Sequence, residues 1–264
     1  MRYKQSNHVM RQKRLRTIAA PSFVWPADIA ENCNRLASMV SEVGLLFFET
    51  DSCLAYTEKD LPLLLARLGL RFHVHLPLNL PWEESPEAVL EVAIALLSKC
   101  AFLKPWAVVL HPPPIRVCPE PQNRITTPHA CEKLRLFIAL WNEARPATKL
   151  LLENIRDNDL VAAWPLIRYF GVGICLDLGH LLAFSQKTDK IPGIWPHVGM
   201  LHLSAPGPAG EHRSLRLLDQ TGRKRLEGLL AQANQDCVLM LEVFSPNAFL
   251  ESLTVLHDWE MACV

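Results

Sequence analysis

Six apolar stretches of strand length each deliver a side chain that can hold a hard cation. LRFHVHL reaches His75, WAVVLH reaches His111, and LLLEN carries Glu153. GVGICLD stops at Asp177, with His180 three positions on, while GMLHLS carries His202 and VLMLEVF carries Glu242. Imidazole nitrogens with carboxylate oxygens form a ligand set suited to zinc, manganese or iron. Each residue alone has a plainer explanation. A lone His near a strand end is commonly a hydrogen-bonded structural residue, a lone Glu is solvated, and Asp-x-Gly is a turn. The coincidence outweighs these, because an unpaired carboxylate inside LLLEN or LMLEVF is costly to bury and a cation offsets that cost. His73 and His75 are two apart and share a strand face. His75 is nearer the strand end and is the better ligand, with His73 left to packing or support.

Ligands on separate strands meet only if the strand ends share a rim. Strand patterns cover Thr17–Val24, Val43–Glu49, Leu70–Leu76, Trp106–His111, Leu150–Asn154, the run into Asp177, Gly199–Ser204 and Val238–Phe244. Helical spacing falls between them, over Asp28–Val40, Leu61–Leu68, Pro86–Leu103, His129–Ala144, Leu160–Tyr169, a segment from Leu181, Arg223–Ala233 and the final stretch. Continuous apolar strands alternating with helices predict an α/β fold with a buried parallel sheet. Eight units in this length predict a single-domain (β/α)8 TIM barrel over residues 16–264, behind a basic tail over 1–15. An open doubly wound sheet is the alternative, but no G-x-G-x-x-G turn follows the first strand. In a barrel the C-terminal strand ends carry the active site, so the six ligands and Glu49, at the end of the second strand, would face one rim.

Charge narrows the substrate. Lys+Arg and Asp+Glu are both 27, but residues 1–16 hold six of the bases and no acid, leaving 21 bases against 27 acids in the body. A protein built to grip a phosphate backbone normally carries a basic face, so a nucleic-acid partner is not expected. The basic N-terminus lacks a following apolar segment, and no run is long enough to span a membrane. The eight cysteines show no C-x-x-C pair and read as reduced thiols of a cytoplasmic protein.

The order His75, His111, Glu153, Asp177-x-x-His180, His202, Glu211-His212 and Glu242 resembles the xylose isomerase-like barrel superfamily, most of all its endonuclease IV branch. That resemblance implies that Glu153 bridges two metals, that His75 and His111 complete one, and that Asp177, His202 and Glu242 complete the other. It also implies a third metal held by His180 and a D-x-H motif ending at His212. Here Gly210 stands where that Asp would be, so two divalent ions, zinc or manganese, are expected and the third lacks a ligand.

The segments PSFVWPADIAENC, VGLLFFE, HLPLNLPW, WAVVLHPP, DLGHLLAF, MLHLSAP and LMLEVFS are similar to the cobamide-remodelling phosphodiesterases of the CbiR family. This implies hydrolysis of a phosphoester in the nucleotide loop of a cobamide, with release of a cobinamide-type product. Glu153 and Glu242 would be the catalytic carboxylates, Glu242 orienting the attacking water. Candidate substrate contacts are Arg213 toward phosphate, Glu49, and Trp25 and Trp82 (with Trp195) as an apolar rim for a corrinoid. A solvated Arg and ordinary Trp packing are the plain alternatives. The loops Pro112–Pro128 and Pro206–Arg213 are lid candidates. A sugar isomerase or epimerase of the same superfamily, an abasic-site DNA endonuclease, and a non-catalytic corrinoid- or metal-binding protein are the rival readings. Oligomeric state is left open.

Overall fold

Alternation along each strand divides its apolar side chains between two layers, and closing the sheet turns those layers into an inside and an outside. In the computed structural model, which describes residues 15–115, 126–144, 148–208 and 210–262, eight parallel strands close into a barrel. They are β1 (Ile18–Pro21), β2 (Glu42–Leu46), β3 (Arg71–His75), β4 (Ala107–Leu110), β5 (Lys149–Glu153), β6 (Gly173–Asp177), β7 (Val198–Leu203) and, after a small hairpin, β10 (Val238–Leu241), which pairs back onto β1. The hairpin is β8 (Ala205–Pro206) against β9 (His212–Arg213), antiparallel and outside the barrel sheet. The basic tail, apart from Leu15, and the greater part of the Pro112–Pro128 loop lie outside the described residues.

Leu150, Leu152, Ile174, Leu176, Leu239 and Leu241 point outward and join the large core beneath the helices. Their neighbours Leu151, Cys175, Val238 and Met240 point inward and meet Ala107, Val109, Met200, Leu46 and Ala19 in a smaller cluster that fills the barrel. The inward register, continued upward from this plug by two residues, arrives at His111, Glu153, Asp177, His202 and Glu242. Apolar packing therefore fixes which strand positions face the rim.

The helices are α1 (Ile29–Leu36), α2 (Thr50–Leu54), α3 (Pro86–Lys99), α4 (Thr127–Ala144), α5 (Trp164–Phe170), α6 (Leu178–Ala183), α7 (Gln220–Gln232) and α8 (Pro246–Ala262). Asp28, Ser85 and Asp219 cap α1, α3 and α7 by accepting from backbone N–H groups of the first turn. Several expected helices differ in their bounds; α1 stops at Leu36, short of Val40, and α7 starts at Gln220, ahead of Arg223. Leu61–Leu68 is only a 3₁₀ turn over Leu63–Arg67, behind Pro62 in extended backbone. The expected helix from Leu160 begins at Trp164, because Leu160 sits at φ 63°. The expected helix from Leu181 begins three residues earlier, at Leu178, because Asp177 caps it. Among the described residues no helix is long and apolar enough to cross a membrane, and the described cysteines are free thiols.

Candidate metal centre

Glu153, at the end of β5, is buried, and its two oxygens face different partners. Oε2 lies 3.0 Å from His75 Nε2 on β3 and 3.3 Å from His111 Nε2 just past β4. Oε1 lies 3.3 Å from His202 Nδ1 on β7 and 3.7 Å from His180 Nδ1 in α6. His202 Nδ1 also approaches Glu242 Oε2, just past β10, at 3.1 Å. Yet neither ring nitrogen of His202, nor Glu242 Oε2, nor Asp177 Oδ2 makes a hydrogen bond, although all are buried. Polar atoms that crowd together without bonding one another are aimed at a shared point, and burying them so is costly unless a cation sits there.

The sets His75–His111–Glu153 and Glu153–Asp177–His202–Glu242 each bring one ligand atom per residue to within 4.8 Å of the others. Nitrogen and carboxylate oxygen donors, with Glu153 common to both sets, fit two divalent ions of the zinc or manganese type. Supporting contacts set the ring orientations. His75 Nδ1–H donates to the Leu76 carbonyl at 2.9 Å, leaving the Nε2 lone pair free to ligate an ion beside Glu153. His180 Nδ1–H donates likewise to the Asn154 carbonyl at 2.8 Å.

The protonation preferences of these side chains show the same imbalance of charge. Burial raises the Glu153 carboxyl, but the His202 and His111 imidazoles more than offset this and hold it well below the usual carboxylate range. Glu242 is likewise drawn down against burial by His202 and His212. Burial opposes charge on His202, but the neighbouring Cys175, Glu242 and Glu153 drive its pKa well up. Asp177 goes the other way. Burial, with Glu242 and Glu153 adding to it, pushes it to about 6 despite His180. A cation bound among these groups would compete with the protons that His202 and Asp177 favour.

Not every expected residue joins the centre. His180 and His212 fall in neither ligand set among the described residues. Both line the cavity, 21% exposed, and His212 Nδ1 lies 3.2 Å from Ser204 Oγ and 3.4 Å from Glu242 Oε2. His73 stays one layer down, where its Nδ1 and the Trp106 indole N–H each lie 2.7 Å from Glu42 Oε1.

The four expected substrate contacts stand away from the cavity walls. Glu49 is exposed at the start of α2, because β2 ends at Leu46 and the chain turns before reaching it. Trp25 packs at 6.0 Å on Phe249, with the Arg35 guanidinium 5.5 Å from its ring. Trp82 is buried against Phe137, and its indole N–H donates to the backbone carbonyl of the candidate ligand His111 at 3.2 Å. Trp195 precedes β7 and so belongs to the opposite end of the barrel. Arg213 is exposed on β9.

The metal-facing cavity of about 290 Å³ is walled instead by Leu46, Phe47, Phe48, Leu78 and Phe244 beside the ligands. Phe47, Phe48 and Phe244 were missed, because an apolar residue beside an apolar strand does not stand out in the sequence. Cys175, Asn154 and Ser204 were also missed as neighbours of the site. Cys175 shares the inward register with Asp177, two residues on.

No protein-family model matches the chain, and no curated protein matches it. Solved structures do. A D-tagatose 3-epimerase-like protein aligns with TM-score 0.67 at 17% identity, over 92% of this chain and 96% of that one. Endonuclease IV from Thermus thermophilus aligns at 0.63 and 18%, over 92% and 98%. A second Thermus thermophilus protein, soaked with ZnCl2, aligns at 0.61 and 24%, over 92% and 98%. At these identities the likeness shows the fold, a closed eight-stranded TIM barrel, and not the reaction.

Proposed function

We propose that this protein is a divalent-metal-dependent phosphodiester hydrolase acting on cobamides, cleaving the nucleotide loop to release a cobinamide-type product. The observation that carries the reading is the division of Glu153, with Oε2 turned to His75 and His111 and Oε1 to His202. One carboxylate between two ligand sets suits a dinuclear centre. Such a pair of ions, when bound, would polarise the phosphoryl oxygens and make a water nucleophilic near neutral pH.

The protein's own groups would do the rest. Glu153 spans the two ligand sets and keeps them in register. Glu242, with Oε2 unbonded at the cavity wall, is placed to help hold an ion and orient the attacking water. His180 and His212 line the cavity and can donate to a phosphoryl oxygen. The apolar wall of Phe47, Phe48, Leu78 and Phe244 suits a large neutral body attached to one charged diester.

Among solved structures the fold also serves an epimerase-like protein and an endonuclease, so one assay should offer all three substrates. Metal-loaded protein is incubated with a cobamide, an abasic DNA duplex and a panel of ketoses, and products are separated by chromatography. The expected product is cobinamide-like, and Glu153→Gln is expected to reduce its formation by roughly 10³-fold or more, the scale at which removing a catalytic group acts. Cleavage of DNA alone, or conversion of a ketose alone, would overturn the reading.

A further inference from the structure

With the tryptophans packed elsewhere, the cavity's apolar side needs its own account. Phe48, Phe244 and Leu78 are 40%, 39% and 61% exposed, unusual for large apolar residues that lie together. All three line the same cavity as Glu153 and Glu242. Ring centroids run Phe23 to Phe48 at 5.1 Å, Phe48 to Phe244 at 6.0 Å, and Phe244 to His212 at 5.4 Å. A continuous aromatic wall therefore begins on a half-buried Phe and ends on an imidazole of the reactive side. Among the described residues lining the cavity there is no Lys or Arg. One end can meet a single anion, and the other offers ring faces and methyl groups with nothing to balance a second negative charge. A polynucleotide, which carries phosphates on both sides of any scissile bond, is poorly served by such a wall.

We infer that Phe48, Phe244 and Leu78 form the specificity platform of this site, seating a broad apolar face of the substrate while its phosphodiester lies at the metal centre. The inference rests on the hydrolase reading above and adds to it the residues that select the substrate. Its test compares zinc- or manganese-loaded parent, Phe48→Ala, Phe244→Ala and Phe48→Leu on a cobamide and on the small diester methyl 4-nitrophenyl phosphate. The ratio of kcat/KM for cobamide over the small ester should fall about tenfold in each alanine variant, mainly through the cobamide KM. Phe48→Leu should keep most of the preference. An unchanged ratio in both alanine variants overturns the platform and leaves the hydrolase standing. If the parent cleaves neither ester, the hydrolase reading falls and the platform with it. Two independent alanine positions guard against one variant failing to fold, and the partial exposure of both rings favours folding of each.

Discussion

Asp177 divides its two oxygens between structure and ligand chemistry. Oδ1 accepts the backbone N–H of His180 and so caps α6, while Oδ2 is buried and unbonded. Asn can cap a helix as well as Asp can, so Asp177→Asn should keep α6 and remove one ligand charge. The pH dependence follows from the raised pKa. The carboxyl titrates near 3.8 in the unfolded chain and near 6 when buried without metal. Its uncharged form thus contributes fully below about 4, and that contribution is lost as pH rises through 6. Metal-free parent should therefore lose stability relative to Asp177→Asn between pH 4 and 6, then run parallel to it. Thermal melts of both in chelator across that range check this, and a difference that stays flat would sink it. The six candidate ligands could be singled out in the sequence because each stands in or just after an apolar strand, where a charged or imidazole side chain needs a reason. Phe48 and Phe244 could not, because an apolar residue beside an apolar strand carries no such contrast.

At the scale of elements, the site depends on how β5 and β6 are tied at their upper ends. Asn154 accepts the backbone N–H of Asp177 at 2.7 Å, donates to its carbonyl at 3.2 Å, and donates to Gln186 Oε1 at 2.8 Å. Gln186 in turn donates to the Ile155 carbonyl at 2.7 Å. This buried bracket sets where α6 starts and hence where His180 and Asp177 Oδ2 stand. Asn154→Ala would strand the Asp177 N–H, at a cost of about 2–4 kcal/mol. Melting should drop by roughly 5–10 °C for a chain of this size, and zinc affinity should weaken in titration calorimetry. A melting point and affinity equal to the parent's would refute the bracket's role.

Elements of this kind were only partly legible. Strands announce themselves by apolar runs, and long helices such as α3 and α4 by periodicity. A six-residue helix fixed by one cap, or a hairpin of two-residue strands such as β8–β9, is too short for either pattern. The start of α6 at Leu178 instead of Leu181 follows from Asp177 acting as a cap, which the sequence shows only as Asp-x-Gly.

At the scale of the molecule, the barrel holds the carboxylates of Glu153, Asp177 and Glu242 together against mutual repulsion, and ions bound among them would contribute to folding. Closure was readable from eight alternating units, since a parallel sheet of buried apolar strands needs helices on its outer face and leaves ligands at one rim. What the sequence left open was the spacing of the ligands, because barrel tilt and stagger set it and residue order does not. The candidate ligands span β3 to β10, so ion binding there would tie six of the eight strands together. An unfolded chain has no such site. Ion binding should stabilise the fold by about 2.7 kcal/mol for each site at a free concentration one hundred times its Kd. That corresponds to a rise in melting temperature of roughly 5–10 °C for one site in a protein this long. Differential scanning fluorimetry with zinc, manganese and excess chelator should show the rise and its reversal. Glu153→Gln, which removes the charge of the carboxylate common to both ligand sets, should flatten the response without abolishing the metal-free transition. A parent melting temperature indifferent to both metals and chelator would mean that the crowded, unbonded donors at this rim do not bind ions at all. The proposed chemistry would then have no centre to act from.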